Sequence, residues 1–148
     1  MNWRRLILIC LASAALVPFA CNAGPDYSSG VSALKAGNYE QALSILRPLA
    51  ETGNRRAIVE LGNIYAFGWG VTVDDAAAND WFRKAEERGV TPGQSQLDVA
   101  FELRGGGGVR RDAARAQLWL QKAAGLGYPR AVELASSPER LRQWLGDE

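Results

Sequence analysis

Histidine is absent from this chain and cysteine is scarce. The 148 residues include no His and two Cys, Cys10 and Cys21, both near the N-terminus. Without His the chain lacks the commonest general base and the imidazole ligand of many zinc sites. No Ser lies in a Gly-x-Ser-x-Gly setting, and the neighbouring carboxylates Asp74 and Asp75 would not face each other on a helix. The sequence therefore predicts a protein that is not an enzyme, with no catalytic residue, no metal and no cofactor.

An excess of positive or negative charge is also lacking. The chain has 17 Lys and Arg residues against 16 Asp and Glu residues. Such a near-neutral surface gives no electrostatic reason to bind nucleic acid or anionic lipid. The glycine-rich residues 105–108 lack the Lys-Ser/Thr pair of a phosphate-binding loop, and Asp112 after them would repel an anion. We interpret this segment as a connecting loop.

The one long apolar run lies at the N-terminus. Residues 6–20 follow Arg4 and Arg5 and lead into Cys21-Asn22-Ala23. A basic start, a short apolar stretch and a small-x-small ending form a secretory signal peptide, and the run is shorter than the roughly 20 apolar residues of a membrane span. We expect cleavage after Ala23. The mature protein would be periplasmic or secreted in a Gram-negative bacterium, without membrane insertion.

Cys21 leaves a second form of processing open. As the acylated first residue of a lipoprotein it would anchor the protein to a membrane by lipid. Lipoprotein signals favour Leu three residues before the Cys and a small residue two before it, whereas this chain has Pro18 and Phe19 there. These two residues favour cleavage after Ala23 over lipid attachment.

A block of residues occurs twice at a constant spacing of 38 positions. Trp81 corresponds to Trp119, and Gly89 corresponds to Gly127. A fixed period of this size indicates stacked supersecondary units. Each copy reads as a helix, a glycine loop, a second helix and a glycine stop, with an acidic residue at the start of the second helix. A shorter copy precedes them, and a truncated pair with Ser137 as a helix cap follows.

The first full copy resembles the Sel1-like repeat, a relative of the tetratricopeptide repeat, through the motif Leu61-Gly62-x-x-Tyr65-x-x-Gly68-x-Gly70-Val71-x-x-Asp74 … Ala78-x-x-Trp81-Phe82-x-Lys84-Ala85-x-x-x-Gly89. The resemblance implies an all-α, right-handed α-solenoid of antiparallel helix pairs, with about eight helices after the signal peptide. The first helices of the pairs would line a concave face.

This organisation places one domain after the signal peptide. Residues 1–23 are the predicted signal peptide, and residues 24–148 form the domain. Within it we expect four units: a tetratricopeptide-like unit at 27–53, full repeats at 54–89 and 90–127, and C-terminal capping helices at 128–148.

The helical phase identifies candidate binding residues. If Leu61 and Tyr65 pack between helices, the opposite side of that helix carries Arg56, Val59, Asn63 and Phe67, and the equivalent face of the next first helix carries Gln94, Leu97, Phe101 and Arg104. Trp81 and Trp119 occupy equivalent inner positions, Trp144 closes the last helix, and Trp69 lies in a loop where it is the tryptophan most open to solvent. The predicted partner-binding residues are Arg56, Asn63, Phe67, Trp69, Phe101 and Arg104.

The function that the resemblance implies is a non-catalytic scaffold for protein–protein interaction. It would be a monomer that holds another protein or peptide in the concave groove, with no nucleic acid partner. Three alternatives stay open on the sequence alone: an immunity protein that neutralises a secreted toxic effector, a periplasmic enzyme acting on the cell wall, and a structural subunit of an envelope complex.

Overall fold

The computed structural model describes residues 26–105 and 108–146. The predicted signal peptide, Ala23 and Cys21 lie outside the described residues. All regular secondary structure within the two ranges is helical, which confirms the predicted all-α class. The eight helices are α1 (Tyr27–Lys35), α2 (Tyr39–Glu51), α3 (Arg55–Phe67), α4 (Asp75–Glu86), α5 (Gln94–Gly105), α6 (Ala113–Gly125), α7 (Pro129–Ala135) and α8 (Pro138–Leu145).

The helices pack in consecutive pairs. The most extensive contacts join α3 to α4 and α5 to α6, the two full repeats, and α1 packs on α2 in the same way. The first helices of the two full repeats, α3 and α5, also touch directly. Helix pairs stacked in sequence order form the expected helical solenoid. None of the helices in the described part of the chain combines the length and apolarity that a membrane crossing requires.

Short polar side chains fix where most helices begin. The Asp74 and Asp112 carboxylates accept hydrogen bonds from backbone N–H groups in the first turns of α4 and α6, and the Ser137 hydroxyl does so in α8. These are the starts that the sequence predicts. Helix α3 begins at Arg55, where the Asn54 side chain accepts hydrogen bonds from the Arg56 and Ala57 N–H groups.

Gly62 lets the two helices of the first full repeat approach closely. It lies in α3 against the Phe82 ring of α4, and a methyl group at this position would overlap that ring. Phe82 and Leu61 are both fully buried beside it. A larger residue would force α3 and α4 apart, so this glycine is part of the packing between the two helices.

A polar bridge joins the first full repeat to the second. The Asp75 carboxylate at the start of α4 accepts hydrogen bonds from Arg115 Nε at 3.1 Å and from Trp119 Nε1 at 3.2 Å, and Arg115 Nη2 is also ion-paired with it. Arg115 Nη2 donates further to the Ala66 carbonyl at the end of α3, at 2.7 Å. Partial burial pushes the pKa of Asp75 upward, but the hydrogen bonds and charge of Arg115 outweigh it and lower the pKa.

The equivalent tryptophans differ in burial. Trp119 is buried, and its ring meets Phe82 edge-on at 5.8 Å, as an interior residue should. Trp81 is only partly buried, so the prediction that it lies in the interior is wrong in part. Lys84 Nζ lies 4.0 Å from the centre of the Trp81 ring. Trp81 packs against the cluster that contains Leu46, whereas Trp119 packs against Phe82. Trp144, which was expected to close the last helix, is buried in α8.

Candidate protein-binding groove

The loop after α3 folds an aromatic side chain back over the helix. Gly68 ends α3 with φ of 72°, a left-handed conformation that favours glycine. The Trp69 N–H then donates to the Ile64 carbonyl at 3.0 Å, which ties the loop to the last turn of the helix. The Trp69 ring therefore lies beside α3 and does not extend away from it.

Three aromatic rings line up across the first two units. The Trp69 ring is 4.9 Å from the Phe67 ring and 6.4 Å from the Tyr39 ring, to which it is nearly parallel. We call Tyr39, Trp69 and Phe67 the aromatic row. All three side chains are partly exposed. Aromatic residues left accessible in this way are typical anchors in protein interfaces.

The aromatic row forms the floor of a groove. A concavity of about 390 Å³ lies on one side of Trp69 and another of about 280 Å³ on the other, and both are also lined by Val109 from the loop before α6. We call the two together the aromatic groove. The first concavity is lined by Val31, Leu34, Lys35, Tyr39, Glu60, Trp69, Gly108 and Val109, and the second by Asn63, Phe67, Trp69, Asp98, Val99, Glu102 and Val109.

Acidic side chains dominate the charged residues of the groove. Glu60, Asp98 and Glu102 contribute three carboxylates, and Lys35 contributes one ammonium group. Glu60 accepts a hydrogen bond from Tyr27 Oη at 2.9 Å; burial and this carboxylate together raise the pKa of Tyr27 to about 12. Partial burial in the groove wall, together with the charge of Glu102, raises the pKa of Asp98.

Three of the six predicted binding residues come together in the groove. Asn63 and Phe67 lie one helical turn apart on α3, and Trp69 follows in the loop. Arg56 lies apart from them, where its guanidinium carbon is 5.9 Å from the centre of the Tyr27 ring. It is exposed and is not among the residues that line either concavity.

The other two predicted residues face the C-terminal end of the array. Phe101 meets Trp144 edge-on at 5.5 Å, and Arg104 lies over both rings. Arg104 Nη1 also donates to the Trp144 carbonyl at 2.9 Å. These side chains pack against α8, and neither is among the residues that line the groove. Helix α8 therefore covers this face of α5.

Sequence reasoning placed the groove face of α5 on the wrong residues. Leu97, expected on that face, is buried in the core, while Asp98 and Glu102 line the groove. One signal could have found the acidic wall: Asp98 lies 38 positions after Glu60, so both full repeats carry a carboxylate at the same place. No three His, Cys, Asp or Glu residues come together as a metal site in the ranges that the structure describes.

Comparison with known proteins identifies the repeats. The sequence model of the Sel1 repeat family matches residues 55–90 and 93–128, which correspond to the two full helix pairs. Sel1 repeat proteins are generally scaffolds for protein interaction. The two matched segments begin 38 residues apart, which is the spacing of the repeated block in the sequence.

Two curated relatives and one solved structure show partial similarity. An "Exopolysaccharide production negative regulator" of Rhizobium leguminosarum bv. viciae is 31% identical over 144 residues, covering 80% of this chain and 53% of the relative. A protein of the same name from Rhizobium meliloti (strain 1021) is 31% identical over 117 residues, covering 71% and 44%. The chain thus spans about half the length of these relatives. A Sel1 repeat protein from Oxalobacter formigenes, 26% identical, aligns over 82% of this chain and 55% of its own with a TM-score of 0.41.

The repeated helix pairs, the glycine loop that positions Trp69 and the two matched segments lead to one family. The chain belongs to the Sel1-like repeat proteins.

Proposed function

We propose that this protein is a non-catalytic scaffold that binds a protein or peptide segment in the aromatic groove. The observation that carries the proposal is the aromatic row: three partly exposed rings, two of them in contact, form the floor of a concavity between first helices of the array. An interface of this kind gains most of its binding energy from a few desolvated aromatic anchors. Trp69 contributes to both halves of the groove and is the expected hot spot.

The shape of the groove favours an extended or loop-like segment. Its two concavities, of about 390 and 280 Å³, share Trp69 and Val109, so a chain that fills both would cross Trp69 and place side chains on either side of it. A folded partner could meet this requirement only by presenting a protruding segment. The proposal therefore describes recognition of a segment and not of a flat surface.

We also propose that the protein acts outside the cytoplasm. The support is the N-terminal sequence, with Arg4 and Arg5, an apolar run and a cleavage site after Ala23. Cell fractionation followed by mass spectrometry of the mature N-terminus tests this proposal. A chain that begins at residue 24 in the periplasmic or secreted fraction supports it. A chain that begins at an acylated Cys21 supports lipid anchoring, and an uncleaved cytoplasmic chain rejects export.

Photo-crosslinking in the cells that produce the full chain tests the scaffold proposal. A photoreactive residue replaces Asn63 in the groove or, as the matched control, Leu118, which is 56% exposed on α6 and not part of the groove. We expect a defined protein adduct from position 63, none of the same mass from position 118, and loss of the adduct when Trp69→Ala is added. Equal adducts at both positions, or an adduct unaffected by Trp69→Ala, would reject the groove as the binding site.

A second candidate function is regulation of exopolysaccharide production. It is favoured by the 31% identity to two relatives that carry that name, which each extend to about twice the matched length. In this case the bound partner would belong to the machinery that makes or exports the polysaccharide. A deletion strain should then produce more polysaccharide per cell, and the Trp69→Ala chain should fail to restore the lower amount. Unchanged production in the deletion strain would dismiss this role and leave the scaffold proposal intact.

A further inference from the structure

We infer that the partner segment is basic: an extended stretch with an apolar anchor side chain followed by Lys or Arg. This inference rests on the proposed function and names the chemistry of its partner. The anchor would occupy the concavity beside Tyr39 and Leu34, and the cation would enter the concavity between Phe67 and Asp98. The two side chains would lie on either side of Trp69.

The first argument is charge complementarity. Three carboxylates face the groove against a single ammonium group, in a protein that is otherwise almost neutral. Asp98 and Glu102 lie one helical turn apart on the same face of α5. Within the described ranges neither carboxylate has an ion-pair or hydrogen-bond partner, although Asp80, Glu133 and Glu139 are each ion-paired. The groove wall therefore carries negative charge that the fold leaves uncompensated.

The second argument comes from where the protein places its own cations. Lys and Arg side chains lie over several aromatic rings of the array: Lys84 over Trp81, Lys122 over Trp119 and Arg130 over Phe101, at 4.0, 4.1 and 4.9 Å from the ring centres. The aromatic row has no such neighbour among the described residues. Within the described ranges the aromatic row thus lacks the cation that lies over Trp81, Trp119 and Phe101, and Lys35 is the one ammonium group that lines its groove.

The third argument is that the acidic wall costs the fold some stability. Like charges four residues apart on a helix repel each other. Asp98 also loses part of its hydration in the groove wall, which raises its pKa and disfavours its charged form. A bound Lys or Arg would offset both effects. Destabilising charge next to partly exposed aromatic rings is found at many binding sites.

Selection from displayed random peptides tests the inference. The full chain is the bait, and peptides of about 12 residues are long enough to cross the groove when extended. The charge variant is Asp98→Asn/Glu102→Gln. Its matched control, Glu51→Gln/Glu87→Gln, removes the same charge from two exposed residues that do not line the groove. Thermal unfolding of every variant verifies that it is folded before binding is compared.

We expect Lys and Arg to be enriched among peptides whose binding depends on Trp69. Their dissociation constants should rise about tenfold in the charge variant and stay within about twofold in the control, because each exposed or half-exposed ion pair contributes a small factor. Raising the salt concentration from about 50 to 300 mM should weaken binding to the wild type more than binding to the charge variant. The charge variant should also unfold at a temperature about 1–3 °C higher.

The outcomes separate the inference from the proposed function. Peptides that require Trp69 but show no excess of Lys or Arg, or that bind the charge variant as well as the wild type, would overturn the basic-partner inference and leave the groove in place. A selection that yields no peptide sensitive to Trp69→Ala would overturn both. Enrichment of acidic peptides would show that Lys35 and not the carboxylates sets the preference, and would also overturn the inference.

Discussion

The same repeat position has two different surroundings in this molecule. On α3 it holds Asn63, which faces the open aromatic groove together with Phe67. On α5, 38 positions later, it holds Phe101, which is covered by Trp144 at 5.5 Å and by the guanidinium group of Arg130 at 4.9 Å. The two full repeats thus share the same plan of paired helices and differ in what lies over their first helices.

The difference shows how the helices that pack over a repeat change the surroundings of equivalent residues. An interior repeat can leave its groove face open because the next helix pair buries its other apolar surface. In the described ranges the second full repeat is followed by the short α7 and by α8, which turns back so that Trp144 and Leu145 are buried against the array. The position that faces the open groove in one repeat is partly buried against the core in the next.

The largest effect on stability should come from removing the Trp144 ring that covers Phe101. Trp144→Ala removes a buried ring that packs on Phe101, and we expect it to lower the free energy of unfolding by about 3–5 kcal/mol. Chemical denaturation measures this change. The matched control is Leu118→Ala, at a site that is 56% exposed, which should cost less than about 1 kcal/mol. A Trp144→Ala cost as small as that of the control would mean that α8 does not stabilise the array.

The second prediction compares Phe101 with Phe67. Phe101→Ala should lower the free energy of unfolding by about 2 kcal/mol, since the ring is half-buried under α8, and should leave partner binding unchanged. Phe67→Ala should cost about 1 kcal/mol in stability and weaken binding more than tenfold. Denaturation and titration with a Trp69-dependent peptide separate the two effects. If both variants lose binding equally, the binding surface includes Phe101, and the proposed difference between the open face of α3 and the covered face of α5 is wrong.

Sequence patterns predicted the helices well because their signals are local. Asp74, Asp112 and Ser137 mark helix starts through their own side chains, and Gly89 takes the positive φ expected after a helix end. The period of 38 residues then gives the stacking, since equivalent positions in a repeat must pack alike. None of these inferences needs knowledge of residues far away in the chain.

The groove was harder to predict because it depends on long-range contacts. The repeat spacing predicted Leu97 on the groove face of α5. The sequence of this helix is weakly amphipathic, and in the structure Leu97 is buried and Asp98 faces the groove. Nothing in the local sequence shows that α8 would cover Phe101 and Arg104 from about 40 residues away. Trp69 was correctly placed in the loop, but its partner Tyr39 comes from a different unit.

The junctions between repeats give a third, smaller test. Trp119 donates to Asp75, whereas its counterpart Trp81 has a lysine over its ring and is partly exposed. Asp75→Asn keeps an oxygen that can accept from Trp119 but removes the charge that pairs with Arg115. At neutral pH we expect a cost of about 1 kcal/mol, discounted because a third of the carboxylate is exposed.

The pH dependence of this effect identifies its cause. The pKa of Asp75 is lowered by folding, so the charged carboxylate stabilises the fold above the ordinary Asp value of 3.8, and this contribution is lost as the pH falls through the lower value in the folded state. Thermal unfolding of wild type and Asp75→Asn should therefore differ near pH 7 and converge in acid. A constant difference at all pH values would point to packing and not to the ion pair.

The smallest predicted effect has the opposite sign and lies in the open groove. Folding raises the pKa of Asp98, because the carboxylate is partly buried beside Glu102 and, among the described residues, no cation from α3 or the adjoining loops faces it. Its charged form therefore destabilises the fold at neutral pH, and this penalty disappears as the pH falls below the raised pKa. Asp98→Asn should gain a few tenths of a kcal/mol in the free energy of unfolding near pH 7 and nothing in acid.

With a basic Trp69-dependent peptide bound, the order of stability should reverse, because the wild type then pairs its carboxylate with the ligand and gains more stability from binding than the variant does. Thermal unfolding with and without the peptide measures the difference in stability between the variant and the wild type in each state. If the variant is less stable than the wild type without the peptide, the Asp98 carboxylate stabilises the free fold and the prediction is wrong.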